Sequence, residues 1–341
     1  MPDDLFSRLF ELFNQPGPVN WKLAAEVARH LAGEPQPVDP WAAEQVEELS
    51  LLAQSQIEAE APFPIPVTPV AVVDRRQWVD ESLERLAYVA EGFTEADTAM
   101  IPGLGAALAG MQVGTLAGTI ASTTMGSFES GLPLEGGARL LIIGPGLDAV
   151  EAALGTDPRE VRLSAVASEI AHSALFRVPW LTETLGDLIE SYAGFLVPNP
   201  EKLMEIWSED PGSLPEKLAD PATLEDLTGG QEGIAHRQTL EAFLAVTSGY
   251  RRLLVDRSFP KMLPSLERMH SQGGAEIPML GLPLANRELT DRGARFCREV
   301  ERRYGLEALD NIWLGPDRLP THDELDDPLG WAARVLLEDL T

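Results

Sequence analysis

Apolar positions along the chain recur mainly at helical spacing. Phe6, Leu9, Phe10 and Phe13 form a stripe one helix-face wide. Asn20 is placed to cap a second helix, WKLAAEVARHLAG, and Asp39-Pro40 opens a third that runs toward Gln56. The segment APFPIPVTP then carries four prolines in nine residues, which predicts an extended connector. Asp74 through Gln77 has the form of a capping box for a helix over WVDESLERLAYVAEGF. The uncharged, small-residue stretch 99–125 predicts a central helix. ARLLIIGPG predicts a strand at about 138–143. Asp157-Pro158 with Glu160 starts a helix that Pro179 ends. Residues 209–233 read as a long loop with one or two short helical turns, and 234–257 as another helix. Thr321 with Glu324, and then Asp327-Pro328, mark two further helix starts. No internal repeat is visible. The pattern predicts a mostly helical α+β fold with a small sheet.

Composition narrows the functional classes. Apolar residues make up 44% and charged residues 23% of the 341, an ordinary globular balance that argues against whole-chain disorder. The net charge of −28 repels phosphate backbones and anionic lipid, so nucleic acid is not expected as a partner. Cys297 is the single cysteine, which excludes an intramolecular disulfide and a cysteine-rich zinc site. The N-terminal residues MPDDLFSRLFELF are acidic and lack the basic region of a signal peptide, so a cytoplasmic location is expected. Stretch 99–125 is long enough to span a bilayer and carries Gly110, Gly114 and Gly118 at four-residue spacing. It lacks flanking Lys or Arg, and Gly, Ser and Thr dilute its hydrophobicity, so a buried helix is expected and a membrane span is not.

Several short motifs bear on chemistry. Ser168-Glu169-Ile170-Ala171-His172 is a His-Glu-x-x-His zinc motif with serine in place of the first histidine. In the complete motif two imidazoles one turn apart bind the ion, and the glutamate deprotonates its water. A serine hydroxyl is a poor zinc ligand, and His172 alone cannot hold the ion. A second Glu-x-x-His, Glu267 with His270, lacks the long helices of a di-iron bundle. A Ser168–His172 nucleophile pair lacks an oxyanion hole, and GSFESG at 126–131 lacks the spacing of a nucleophile elbow. Gly144-Pro145-Gly146 with Ala149 matches a dinucleotide fingerprint, but a helix follows where a second strand would be required. It reads as a plain strand-to-helix turn.

Taken as a set, GMQVGTLAGTI, GARLLIIGPGLDAVEAALG and ASEIAHSALFRVPWL resemble a bacterial family of zincin-like metallohydrolases, catalogued near deazaflavin-cofactor biosynthesis proteins. PVNWKLAAEVA, PVAVVDRRQWV and, near the C-terminus, Gly293, Phe296, Asn311, Trp313, Pro316 and Trp331 extend the resemblance over nearly the whole chain. It implies a zincin-like metallopeptidase fold, zinc as the family's metal and hydrolysis as its activity. The resemblance divides the chain into an N-terminal helical region with its connector, 1–98, and a zincin-like core, 99–341. By position it puts the first histidine on Ser168, the base on Glu169 and the second histidine on His172. A downstream Leu-Glu-Gly-His segment falls on FLAVTSGYRRLLVD, with the glutamate at Ser248 and the histidine at Tyr250. Ligand losses thus coincide at Ser168, Ser248 and Tyr250. They lead to the expectation of a degenerate site that binds no cofactor and acts on a peptide or protein partner without catalysis. Two alternatives stay open. One is an active hydrolase with a rearranged metal site in which Glu169 remains the base, His172 a ligand, and one or two other His or carboxylate groups join them, the other histidines being His30, His236, His270 and His322. The other is a scaffold that makes no use of the cleft.

Overall fold

The computed structural model describes residues 17–91, 104–196, 230–272, 277–279, 282–284 and 286–338. The N-terminal stripe Phe6–Phe13 and most of the loop expected at 209–233 lie outside them.

Local signals set the helix starts. α1 (Trp21–Ala32) begins where the Asn20 side chain accepts from Leu23 N, and α2 (Pro40–Glu58) where Asp39 accepts from Trp41 N. After the connector, β1 (Val70–Val73) leads into α3 (Arg75–Ser82), which Asp74 caps at Gln77 N. The single helix expected from Trp78 onward is interrupted. A 3₁₀ turn at Leu83–Leu86 separates α3 from the short α4 (Ala87–Glu91). Next come α5 (Leu104–Thr123), β2 (Leu140–Ile143) and α6 (Gly144–Leu154), then α7 (Pro158–Leu175), capped by Asp157, and α8 (Leu181–Leu196). The long α9 (Gly230–Ser258) starts four residues before the expected 234. It is followed by α10 (Leu266–Gln272), the hairpin β3 (Ile277–Met279) and β4 (Leu282–Leu284), α11 (Arg287–Tyr304), α12 (Leu306–Asp310) and α13 (Pro328–Glu338). Thr321 and Glu324 make both reciprocal bonds of a capping box, yet residues 322–326 form turns and no helix follows until Pro328.

β1 and β2 pair in parallel, Val70 opposite Leu140 and Val73 opposite Ile143, so α3 to α5 form the crossover between them. β3 and β4 pair antiparallel. α7 lies at the centre. α2 and α9 pack against it, β2 and α6 abut it, and most of its side chains are buried on every face. One apolar cluster runs from Val19 to Val335 through these elements.

The small residues of α5 serve packing. A Cβ at Gly110 would lie 2.5 Å from Asn20 O, one at Gly114 2.5 Å from Ala24 O, and one at Gly118 2.7 Å from Leu31 Cβ. The four-residue glycine spacing is therefore the seam on which α1 lies. Among the described residues no helix is long and apolar enough to cross a membrane. A second seam joins α9 to α11, where a Cβ on Gly293 would overlap Ala245 O. The backbones approach this closely only without side chains between them.

Helix propensity alone would make Gly114→Ala stabilising by up to about 1 kcal/mol. The backbone contact with Ala24 reverses the sign. Urea unfolding should show Gly114→Ala destabilised by about 1–3 kcal/mol, the usual range for overpacking.

Candidate functional site

The central helix α7 brings Ser168, Glu169 and His172 into the interior, where they are 4%, 2% and 3% exposed. At such burial a carboxylate needs hydrogen-bond donors. They come from the loop between α5 and β2. Ser127 Oγ donates to Glu169 Oε1 at 2.5 Å, and the Phe128 N–H donates to Oε2 at 3.1 Å. Gly126 makes this approach possible, because a Cβ there would lie 2.7 Å from Glu169 Oε2. The loop is anchored on its other side by β2, where Gly126 bridges Ile142 and the Ile143 N–H donates to Met125 O. The GSFESG segment, whose spacing failed as a nucleophile elbow, is thus the cradle of the Glu169 carboxylate. Sequence reasoning missed Ser127 in this role. The available signal was a glycine beside a hydroxyl residue in a loop with no other evident purpose.

His172 meets the same loop five residues later. Its Nε2 lies 3.1 Å from Leu132 O. A carbonyl only accepts, so Nε2 carries the proton in this bond and offers no lone pair. Burial draws the imidazole down to about 3, against the bond to Leu132 and with help from the Arg251 charge. His172 is therefore neutral at physiological pH. Phe176 packs on it at a ring separation of 4.9 Å in an edge arrangement. Burial pushes Glu169 above the usual carboxylate range, while Ser127, Phe128 N, Arg85 and Arg251 act in the opposite direction.

Glu169, His172 and Ser127 line a cleft of about 460 Å³. One wall is the 133–137 loop, which Arg85 holds by donating to the carbonyls of Leu134, Glu135 and Gly136. Arg139 and the exposed Arg177 line it too, and Arg139 is paired with Glu81.

The remaining expected site residues are dispersed. Ser168 lines a separate cavity with Arg251 and His270. Ser248 is half-buried against the loop, its Oγ 3.6 Å from the Cβ position of Gly131. Tyr250 donates its hydroxyl to Asp310 at 2.7 Å and stacks edge-on against Trp313. Burial and Asp310 both raise its pKa, which keeps the phenol protonated. Neither Ser248 nor Tyr250 lines the cleft.

These residues do not fit the family's zinc. His172 has committed Nε2 to Leu132, and Ser168 and Ser248 offer neutral hydroxyls to an ion that selects nitrogen, thiolate or carboxylate. Among the described residues no three His, Cys, Asp or Glu side chains gather closely enough to share an ion. His236 stacks on Phe195, His270 faces Asp256 and His322 faces Arg292. What the arrangement can do is hold a shaped polar cleft rigidly, because Glu169 and His172 both have partners from the loop they face.

Glu129, on the same loop, accepts from Met125 N and is pushed up to about 7, chiefly by burial, with a smaller push from Glu169 and opposition from the Met125 N–H and Arg251. A carboxyl with a raised folded pKa contributes stability below its unfolded pKa of 4.5 and loses it as pH rises through 7. Glu129→Gln should therefore match the wild type near pH 4 and exceed it by about 1–3 kcal/mol at pH 8, less than full linkage because Glu129 is partly exposed. Urea titrations at the two pH values check this. The paired comparison cancels His172 and His270, which are held neutral and cost stability as pH falls below 6.5.

Comparison with known proteins agrees with this architecture. A solved structure from Chloroflexus aurantiacus, described as that of a "putative hydrolase with a novel fold", is similar over 93% of this chain and 98% of its own, with a TM-score of 0.65 and 20% identity. At that identity the likeness shows the fold alone. No curated protein matches the chain. The model of the zincin-like metallopeptidase family matches residues 19–332, which include both seams, α7 and the loop that cradles Glu169. The chain belongs to the zincin-like metallopeptidase family.

Proposed function

We propose that this member of a hydrolase-type family binds a peptide or protein segment in the cleft over Glu169 and His172 and does not hydrolyse it. One observation carries the reading. The groups that stand at the positions of the family's base and second ligand are spent on their own loop: both Glu169 oxygens accept from it, and His172 Nε2 is turned to Leu132 O. A general base must reach the water it activates, and a ligand must present a lone pair. With both Glu169 oxygens and His172 Nε2 turned to the loop, the arrangement favours binding over hydrolysis, and serines stand at two of the remaining ligand positions.

The cleft supports a binding role. Its volume of about 460 Å³ lies in the range of ligand sites, and its lining mixes backbone polar groups with Arg85, Arg139 and Arg177 and the carboxyls of Glu135 and Glu169. The exposed Arg177 at its rim favours a segment that presents an acidic side chain or a terminal carboxylate.

The test uses the full chain purified without chelator. Metal analysis should find no stoichiometric zinc, and a broad peptidase screen no turnover that Glu169→Gln reduces. Pull-down with wild type should retain a partner that Arg177→Glu, an exposed charge reversal at the cleft, weakens at least tenfold. Stoichiometric zinc with turnover abolished by Glu169→Gln would instead establish the active, rearranged site. Retention of every partner by Arg177→Glu, by Glu169→Ala and by His172→Ala would establish a scaffold that makes no use of the cleft.

A further inference from the structure

Behind the loop that cradles Glu169 lies a second, smaller cavity of about 90 Å³, walled by α7, α9 and the start of α11. It shares no lining residue with the cleft, so its role is independent of the function proposed for the cleft. We propose that this cavity is a binding site for one small oxyanion, a carboxylate or a phosphate group.

Cations and donors outnumber acceptors in its lining. Three guanidinium groups, those of Arg251, Arg252 and Arg287, line the cavity, in a chain that carries a net charge of −28. Asn286, Thr290 and Ser168 add neutral polar groups. The one carboxyl among the lining residues is Glu129, which burial biases toward its protonated form. His270 also lines the cavity and is neutral, drawn down to about 3 by burial and by the surrounding arginines.

The guanidinium groups are incompletely answered. Arg252 is paired with Asp291, and Arg287 donates to the neutral carbonyl of Ser271. Arg251 lies over the Phe128 ring at 5.1 Å. The Nε groups of Arg251 and Arg252, like that of Arg75 elsewhere, are buried and lack an acceptor, while Glu129, Glu169 and Asp256 act on the Arg251 charge from a distance. Buried donors without acceptors are rare in native structures, and each calls for an explanation. Arginine is the side chain whose planar fork matches a carboxylate or phosphate, and a ligand that only accepts hydrogen bonds fits a lining this rich in donors. The volume limits the ligand to a single head group. Met125, Phe128 and Met269 leave room for a short apolar attachment rather than a second charge.

Titration calorimetry on the full chain tests this at fixed ionic strength, with chloride as the reference salt. The probes are inorganic phosphate, acetate and isovalerate. Saturable binding of phosphate or of a carboxylate is expected, weakened at least tenfold in Arg287→Gln or Arg252→Gln. The Arg287 side chain is exposed and its replacement leaves the core untouched, so that variant keeps the test meaningful should Arg252→Gln fail to fold. Phosphate binding alone assigns a phosphate group. Preference for isovalerate over acetate assigns a carboxylate with an apolar tail. Absence of saturable binding by all three anions overturns the proposal, as does binding unchanged in both variants.

Discussion

A buried carboxylate must be given donors, and in this protein that requirement falls on the most enclosed helix of the fold. Glu169 projects from α7, and the neighbours α2, α9, β2 and α6 leave its side chain almost no contact with solvent. Ser127 Oγ and the Phe128 N–H offset part of the cost of burying this carboxyl and oppose the upward push of burial on its pKa. The loop from Met125 to Leu132 is consequently fixed at three points: on β2, on Glu169 and on His172. Its rigidity shapes both cavities, because the cleft lies on one side of it and the smaller cavity on the other.

That loop can be held only because the surrounding helices are fixed with little tolerance. The α1–α5 and α9–α11 seams bring backbones into contact through glycine, so the helices cannot slide without a clash. Arg251 and Gly249 lie on the same helix two residues apart. The seam that sets the depth of α9 against α11 therefore also sets where the guanidinium meets Phe128. Packing and polar satisfaction are here one constraint.

Local signals made much of the helical frame legible. Asn20, Asp39, Asp74 and Asp157 each cap the helix that the sequence placed after them, because a cap depends only on residues two or three positions away. Pairing across the chain was not legible. VAVV at 70–73 is four residues long and follows the proline-rich connector. Only its partner at 140–143 makes it a strand. Thr321 and Glu324 satisfied the local rule without the helix it signals, since tertiary contacts decide whether a cap is continued. The same division applies to the site. The spacing of Glu169 and His172 was visible, but their partners lie about forty residues away in sequence. Periodicity carries no information on such a separation.

The charge distribution follows from the same physics. Lysine occurs only at positions 22, 202, 217 and 261, so almost every cation in this acidic chain is arginine. Arginine keeps its charge when buried and spreads it over a fork that can answer several acceptors at once. Arg162 does this with Glu151 and Gln45, Arg85 with three carbonyls of the 133–137 loop, and Arg334 with Glu324 and two backbone oxygens. In each case the acceptors are supplied by the fold. Around the smaller cavity they are not fully supplied, although Asp291 and the Ser271 carbonyl are close enough to answer part of the charge. Three guanidinium groups thus gather at one enclosed place, with Asp291, Glu129 and Asp256 answering part of their charge. That place adjoins Ser168, which stands where the zinc motif has its first histidine. The neighbourhood of that position here carries arginine side chains of its own.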